Sequence, residues 1–442
     1  MKLNQFTAFS ALALIATQGA FAQTVIHIVG SNGDRTATQT AISNILATGW
    51  TFRGVGGNAT SANLSVATAA NFGAWNGTYA GNPVVIKVSF SGALAGIAAI
   101  AGNTDQRFVV TNGTGTGSVP DPTTGTTLGT DYEISKADFG FSTNFQATSP
   151  FNGVYGGVTY NPVIEEIVGV SPLGFYASPG FPAASASITT QIAQLLYTNG
   201  SVPLALFTGN FTADANKIVY AIGRNTDAGQ RYGALTEIGL GTTTTVREWK
   251  PTFSTAQTTT SGLTYGGVVG SQELWPAETV GGVYSPLGSG GYTTGALLAG
   301  ILTTTLGPDA YQGKYYDADT ATYQFLYPSA TAGYYVGYVT PSDASNRILG
   351  GNGVVPAGSR GVALSYNGVP LTNSNVQNGS YTAWVYNRII KPQSGLAGVQ
   401  LTVANALRDR ITNFDATSGG GLFNDANFKV KRTTDGGLVT PK

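Results

Sequence analysis

The chain has 442 residues, of which only 10% are charged, with 22 basic and 22 acidic side chains giving a formal net charge of zero. That share lies well below the usual figure of about 25%, and no basic field directs the chain to nucleic acid or anionic membrane. A single histidine and no cysteine exclude disulfides, most histidine-dependent catalytic triads and the common zinc sites.

The first 22 residues read as a secretory signal. Lys2 is a short basic region, residues 6–16 are apolar, and Ala20, Phe21 and Ala22 form a small-x-small cleavage site. Cleavage after Ala22 delivers a periplasmic or secreted chain. No segment is long enough to span a bilayer, so no membrane insertion is expected. The whole chain is 42% hydrophobic, enough for a sizeable core, and the length left after cleavage suits more than one domain.

Residues 24–29 (TVIHIV) form a β-branched run that reads as a buried strand. It ends in the turn Gly30, Ser31, Asn32, Gly33 and is followed over 34–46 by apolar residues at helical spacing. The same unit recurs at 84–88 (VVIKV), then Ser91, Gly92 and Ala93, then a helix-prone run to 101. Residues 103–130 are rich in Gly, Thr, Pro and Asp and read as a loop or β-insertion. Short strands are expected at 137–141 and 166–176, and a helix at 188–197 capped by Ser187 or Thr189. The strand 217–223 (KIVYAIG) leads into a loop from Arg224 to Arg231, with Ala228, Gly229 and Gln230 between, and a helix follows over 232–238. Residues 242–290 are rich in Thr, Gly and Tyr and carry no clear period. Beyond them come a helix over 292–304, strands at 334–339 and 362–366, a helix or strand at 381–389, and a helix at 399–411. Repeated strand–turn–helix units predict an α/β fold with mixed sheets, whose ligands bind at the loops leaving the strands.

Three of the glycine turns open helices, where unpaired amides and the helix dipole seat an anion. Each feature also has a plainer reading. Gly30 to Gly33 is an ordinary tight turn, Ser91 to Gly96 is close helix–strand packing, and Arg224 is bridged to Asp227 or Asp214. Arg231 braces the structure. His27 is a core histidine, and Glu165 and Glu166 face opposite ways on a strand. The cluster Tyr334, Tyr335, Tyr338, Tyr381, Trp384 and Tyr386 lines a sugar-like pocket or packs a core.

Taken in order, these stretches resemble the periplasmic phosphate-binding proteins of ABC transporters, of the type II solute-binding fold. The resemblance is carried by residues 25–33, 88–97 (VSFSGALAGI), 137–142 (ADFGFS), 205–210 (ALFTGN), 222–231, 336–339 (VGYV) and 378–381 (NGSY). It implies two lobes joined by a two-segment hinge, with 23–168 and 362–442 in one lobe and 169–361 in the other. It also implies a monomer that captures a small oxyanion such as phosphate between the lobes and delivers it to an ABC permease, with no catalysis, cofactor or metal. The ligand residues it implies are Gly30, Ser31, Asn32, Gly33, Ser91, Gly92, Ala93, Thr143, Arg224, Ala228, Gly229, Gln230 and Arg231. Asp138 corresponds to a supporting residue. The chain departs from the family at Thr143, where the family has Asp, and at Ala228, Gly229 and Gln230, where it has Ser-Gly-Thr. An anion without a proton, or another ligand, suits Thr143 better. The alternative is a secreted Gly/Thr-rich surface or matrix protein, in one form a binding-protein fold that has lost its ligand.

Overall fold

The computed structural model describes residues 23–241, 244–275, 278–280, 283–285, 290–317, 320–417 and 423–442. The signal segment lies outside the described residues, as do parts of 242–290 and of the tail. Among the described residues no helix is long and apolar enough to cross a membrane.

The fold is α/β, built on two mixed sheets. The first has eight strands, in the order 163–172, 384–392, 139–142, 24–29, 82–89, 72–79, 51–54 and 57–60. Its centre is Thr24–Val29, parallel to Asn82–Ser89 on one side (Ile26 opposite Ile86) and to Phe139–Ser142 on the other (Ile28 opposite Phe139). Trp384–Pro392 runs antiparallel to Phe139–Ser142 and to Val163–Pro172. Arg35–Ile45 and Ala93–Ala101 are the helices that follow the two glycine turns. Ile26 and Ile28 pack with Ile42, Val403 and Leu407 on one face, while Val29 joins Leu94, Ile97 and Ile390 on the other.

The second sheet has six strands, in the order 187–188, 362–366, 174–177, 332–339, 217–221 and 201–203. Here strand alternation sorts side chains into two cores. Val219 and Ala221 face Ala193, Leu196 and Tyr197 of the helix Thr190–Asn199, whereas Ile218 and Tyr220 face Leu298, Leu302 and Ile348. That helix is capped by Thr189, which accepts from the Ile192 amide at 3.2 Å, and stops at Gly200 in the left-handed region (φ 83°), a conformation that favours glycine.

The chain passes from the first sheet to the second at Leu173, between Val163–Pro172 and Gly174–Ala177. The sequence reads 166–176 as one strand because its apolar run is unbroken across this crossing. The return follows Val362–Tyr366, which pairs with Gly174–Ala177 in the second sheet, so sheet membership changes later than the expected division at 362. Residues 381–389, open between helix and strand in the sequence, lie mainly in the strand Trp384–Pro392.

Strand–turn–helix units are thus present, as the repeat-built matrix alternative would not have them. In the aromatic group, Tyr335, Tyr338, Tyr381, Trp384 and Tyr386 are all buried at 1% exposure or less and pack the cores. His27 is partly buried, with its ring edge-on to Phe108 and its amide donating to Asp138 at 2.7 Å.

Candidate functional site

A cavity of about 380 Å³ lies between the two sheets. Five helices begin at its wall: Arg35–Ile45, Ala93–Ala101, Gly229–Glu237, Gly295–Ile301 and Pro341–Arg347. Each start carries amides without an intrahelical partner and the positive end of a dipole. Their dipoles add a favourable field for an anion to whatever the charged side chains of the wall supply. The Arg35–Ile45 and Gly229–Glu237 starts have no side-chain cap, whereas Thr294 caps Gly295–Ile301 through the Leu297 amide at 3.1 Å.

Three arginines reach this cavity: Arg35, Arg224 and Arg347. Arg224 is 6% exposed. Its Nε donates to the Tyr292 carbonyl at 2.9 Å, one terminal nitrogen donates to the Thr293 carbonyl at 3.0 Å, and the other donates to the Gln230 carboxamide oxygen. Arg35 donates to the Thr68 carbonyl at 3.1 Å and to Asn71 at 2.6 Å. Among the described residues none of the three forms an ion pair. Burial lowers the pKa of Arg224 and of Arg35 below the ordinary arginine value, an effect opposed by the negative charge of nearby Asp343. A guanidinium stays charged under such shifts, so two positive charges sit at this wall bonded only to neutral oxygens. The alternative bridges for Arg224 are not formed. Asp214 pairs with Lys217 at 2.8 Å, and Asp227 turns elsewhere.

Asp227 is 3% exposed and its carboxylate accepts from the Ala95 amide at 2.8 Å. The chain's own carboxylate therefore occupies part of the second helix start, the seat expected for Ser91, Gly92 and Ala93. Gly92 is where it fits closely: a Cβ there would stand 2.3 Å from the Asp227 Oδ2. Burial pushes the Asp227 carboxyl up to about 7, against the Ala95 hydrogen bond and the field of Arg224. Asp34, which opens the first helix, is likewise pushed up to about 7 by burial, against its bond from Asn387 and the charge of Arg388.

Of the residues named from sequence, Ser31, Asn32, Gly33, Ser91, Gly92, Ala93, Thr143, Arg224, Ala228, Gly229 and Gln230 all stand on the wall of this one cavity. Gly30 and Arg231 do not. Gly30 lies beneath the loop, where a Cβ would meet Phe141 at 2.9 Å. Arg231 points away, donating to the Arg224 carbonyl at 2.8 Å and pairing with buried Glu248, so the bracing reading applies to it. Asp138 holds the His27 amide and is not on the wall. Glu165 and Glu166 take separate partners, the Gln146 amide and the Lys391–Arg408 pair.

Sequence reasoning missed Arg35, Asn71, Thr293, Thr294, Asp343 and Arg347, all on the cavity wall. Arg35 was findable, because it is the first residue of a helix already assigned. The helix Pro341–Arg347 had a signal too, in Thr340-Pro341 before Asp343, a start with proline inside and acid in the first turn.

No family model matches the chain, and no curated protein matches it in sequence. Solved structures give distant similarities. A putative phosphate ABC transporter substrate-binding protein with bound phosphate from Clostridium perfringens aligns over 91% of this chain and 99% of its own, with 11% identity and a TM-score of 0.38. An ABC-type phosphate transport receptor from Vibrio cholerae aligns over 90% of this chain and 100% of its own, with 9% identity and a TM-score of 0.42. A possible phosphate binding protein from Planctomyces limnophilus DSM 3776 covers 90% of each chain, with 9% identity and a TM-score of 0.39.

Proposed function

We propose that this chain is an exported solute-binding protein that captures a small, phosphate-like oxyanion between its two sheets and makes or breaks no bond. The carrying observation is Arg224, a buried guanidinium with no ion pair among the described residues, held by neutral oxygens where five helices begin. Burying an unpaired charge is costly. A bound anion supplies the missing partner, and the planar fork suits a tetrahedral oxyanion. The first half would contribute Ser31, Asn32, Gly33 and Arg35, and the second Arg224, Gly229 and Gln230. Thr143 would act through its hydroxyl, while Asp343 on the same wall would accept from a protonated oxygen. Delivery to an ABC permease, as a monomer, completes the reading.

Calorimetric titration of the mature chain with phosphate, sulfate and related anions tests this. Micromolar dissociation constants that rise roughly ten- to a hundredfold in Arg224→Gln support it. A millimolar series with no heat and no thermal shift, the variant behaving as the wild type does, overturns it. Mass spectrometry of the exported chain checks cleavage after Ala22.

A further inference from the structure

The anion cavity does not end at its arginines. A second chamber of about 690 Å³ adjoins it, and Asn32, Asn71, Ser91, Asn225 and Asp227 belong to the walls of both. The two ends differ in charge. Arg35, Arg224 and Arg347 all stand in the first chamber and none in the second, whose only charged wall residues are Asp121 and Asp227. The remainder of the second wall sets the hydroxyl and carboxamide groups of Thr104, Gln106 and Thr123 beside the apolar side chains of Phe72, Phe90, Ala95 and Ala98, the pairing that the hydroxyls and carbon face of a polyol or sugar present.

That wall also gives a use to the 103–130 insertion, which the anion reading leaves idle. Thr104, Gln106, Asp121 and Thr123 all come from it. The insertion is pinned in place. Asp105–Phe108 pairs with Glu133–Lys136, and Arg107 donates to the carbonyls of Pro122 at 3.2 Å and Gly125 at 3.1 Å while lying 3.9 Å from the Tyr132 ring centre. Where the chambers join, the Asn32 carboxamide oxygen is buried without a hydrogen-bond partner. A fully ionised oxyanion cannot satisfy an orphan acceptor, whereas a hydroxyl can. Chambers of about 300–1,000 Å³ enclose drug-sized organic molecules, and a lone tetrahedral oxyanion leaves most of this space empty.

We propose that the ligand is a phosphomonoester of a polyol or sugar, its charged head among the arginines of the first chamber and its hydroxylated body against the 103–130 insertion in the second. The proposal rests on the anion-binding reading and specifies what the anion is attached to. The Asn32 side chain turns its carboxamide oxygen to accept one hydroxyl of the body, and Gln106, which donates to Thr104 at 3.0 Å, presents its carboxamide oxygen to a second hydroxyl.

Titration of the mature chain with inorganic phosphate, glycerol 3-phosphate, glucose 6-phosphate and free glucose distinguishes the outcomes. The expected result is at least about a tenfold preference for one ester over inorganic phosphate. Gln106→Ala, and Thr123→Trp, which fills the outer chamber, should each abolish that preference and leave the affinity for inorganic phosphate unchanged. Unaltered binding of inorganic phosphate shows that both variants fold. If inorganic phosphate binds as tightly as both esters, the inference is overturned and the anion reading stands. If free glucose binds as tightly as its phosphate, the charged head has no role and the inference fails. If nothing binds, the proposed function itself is overturned.

Discussion

At Arg224 the local chemistry and the proposed role can be separated by substitution. Replacing it with Gln removes the charge and keeps some hydrogen bonding. A hydrogen bond to a charged group contributes about 1.5–3 kcal/mol, so anion affinity should drop roughly ten- to a hundredfold by calorimetry. Arg231 predicts the opposite pattern. Its guanidinium belongs to a buried pair with Glu248, and removing one partner of such a pair costs about 3–5 kcal/mol. Arg231→Met should therefore melt much earlier while its folded fraction binds anion as the wild type does. The two arginines look alike in the sequence, seven positions apart around one loop. Only the position of Glu248, brought in by a later segment, assigns one to bracing. Asp227 adds a pH signature. Its folded carboxyl is raised to about 7 from 3.8, so between those values the folded state holds a proton that the unfolded state has released. Its contribution is complete below about pH 4 and is lost as pH rises toward 7. Asp227→Asn keeps an oxygen for the Ala95 amide and removes the titration. Its melting temperature should gain on that of the wild type as pH rises from 4 to 7, and a constant difference would contradict the assigned burial.

Among the elements, the helix Gly229–Glu237 does the most to join the halves. It follows the second-sheet strand Lys217–Ala221, yet packs against the first sheet. A Cβ at Gly233 would stand 2.4 Å from Val385 Cγ1, and one at Gly229 would stand 1.9 Å from Thr143 Oγ1 and 2.6 Å from Ala93 Cβ. Gly229→Ala should accordingly push this helix start off the first sheet. Both thermal stability and anion affinity should decrease, the latter because the Gly229 and Gln230 backbone leaves the cavity wall. A variant with wild-type affinity would show that this start is not part of the site. The body of this helix was legible over 232–238, though its first turn, Gly229 to Arg231, reads as loop in the sequence; the two strand–turn–helix units at 24–46 and 84–101 were legible too, because local period and glycine position report local structure. What was not legible was long-range placement. The crossing at Leu173 interrupts no apolar run, and the hairpin Thr51–Gly54 with Gly57–Thr60 is too short to announce itself. Arg35, Asn71 and Arg347 meet at one wall only after separate elements have docked.

For the molecule as a whole, packing runs directly from one half to the other beside the cavity. Tyr232, at 5% exposure, is buried with Leu94, Ile97 and Ile390 of the first half. The Asn144 carboxamide donates to the Gly229 carbonyl at 3.3 Å, and Asp227 reaches the Ala95 amide. Here apolar packing holds the halves together, and burying a large side chain contributes about 1.5–3 kcal/mol. Ligand entry should then proceed with little change in the relation of the sheets. Scattering profiles of the ligand-free and saturated protein should coincide, even though saturation at about a hundredfold excess over the dissociation constant adds roughly 2.7 kcal/mol of stability. Tyr232→Ala removes the apolar bridge and leaves every cavity-wall side chain in place. In that variant the ligand-free protein should be measurably more extended and should contract when anion is added. A large contraction in the wild type would instead mean that the closed arrangement needs its ligand, and that the Tyr232 core is not sufficient to hold it.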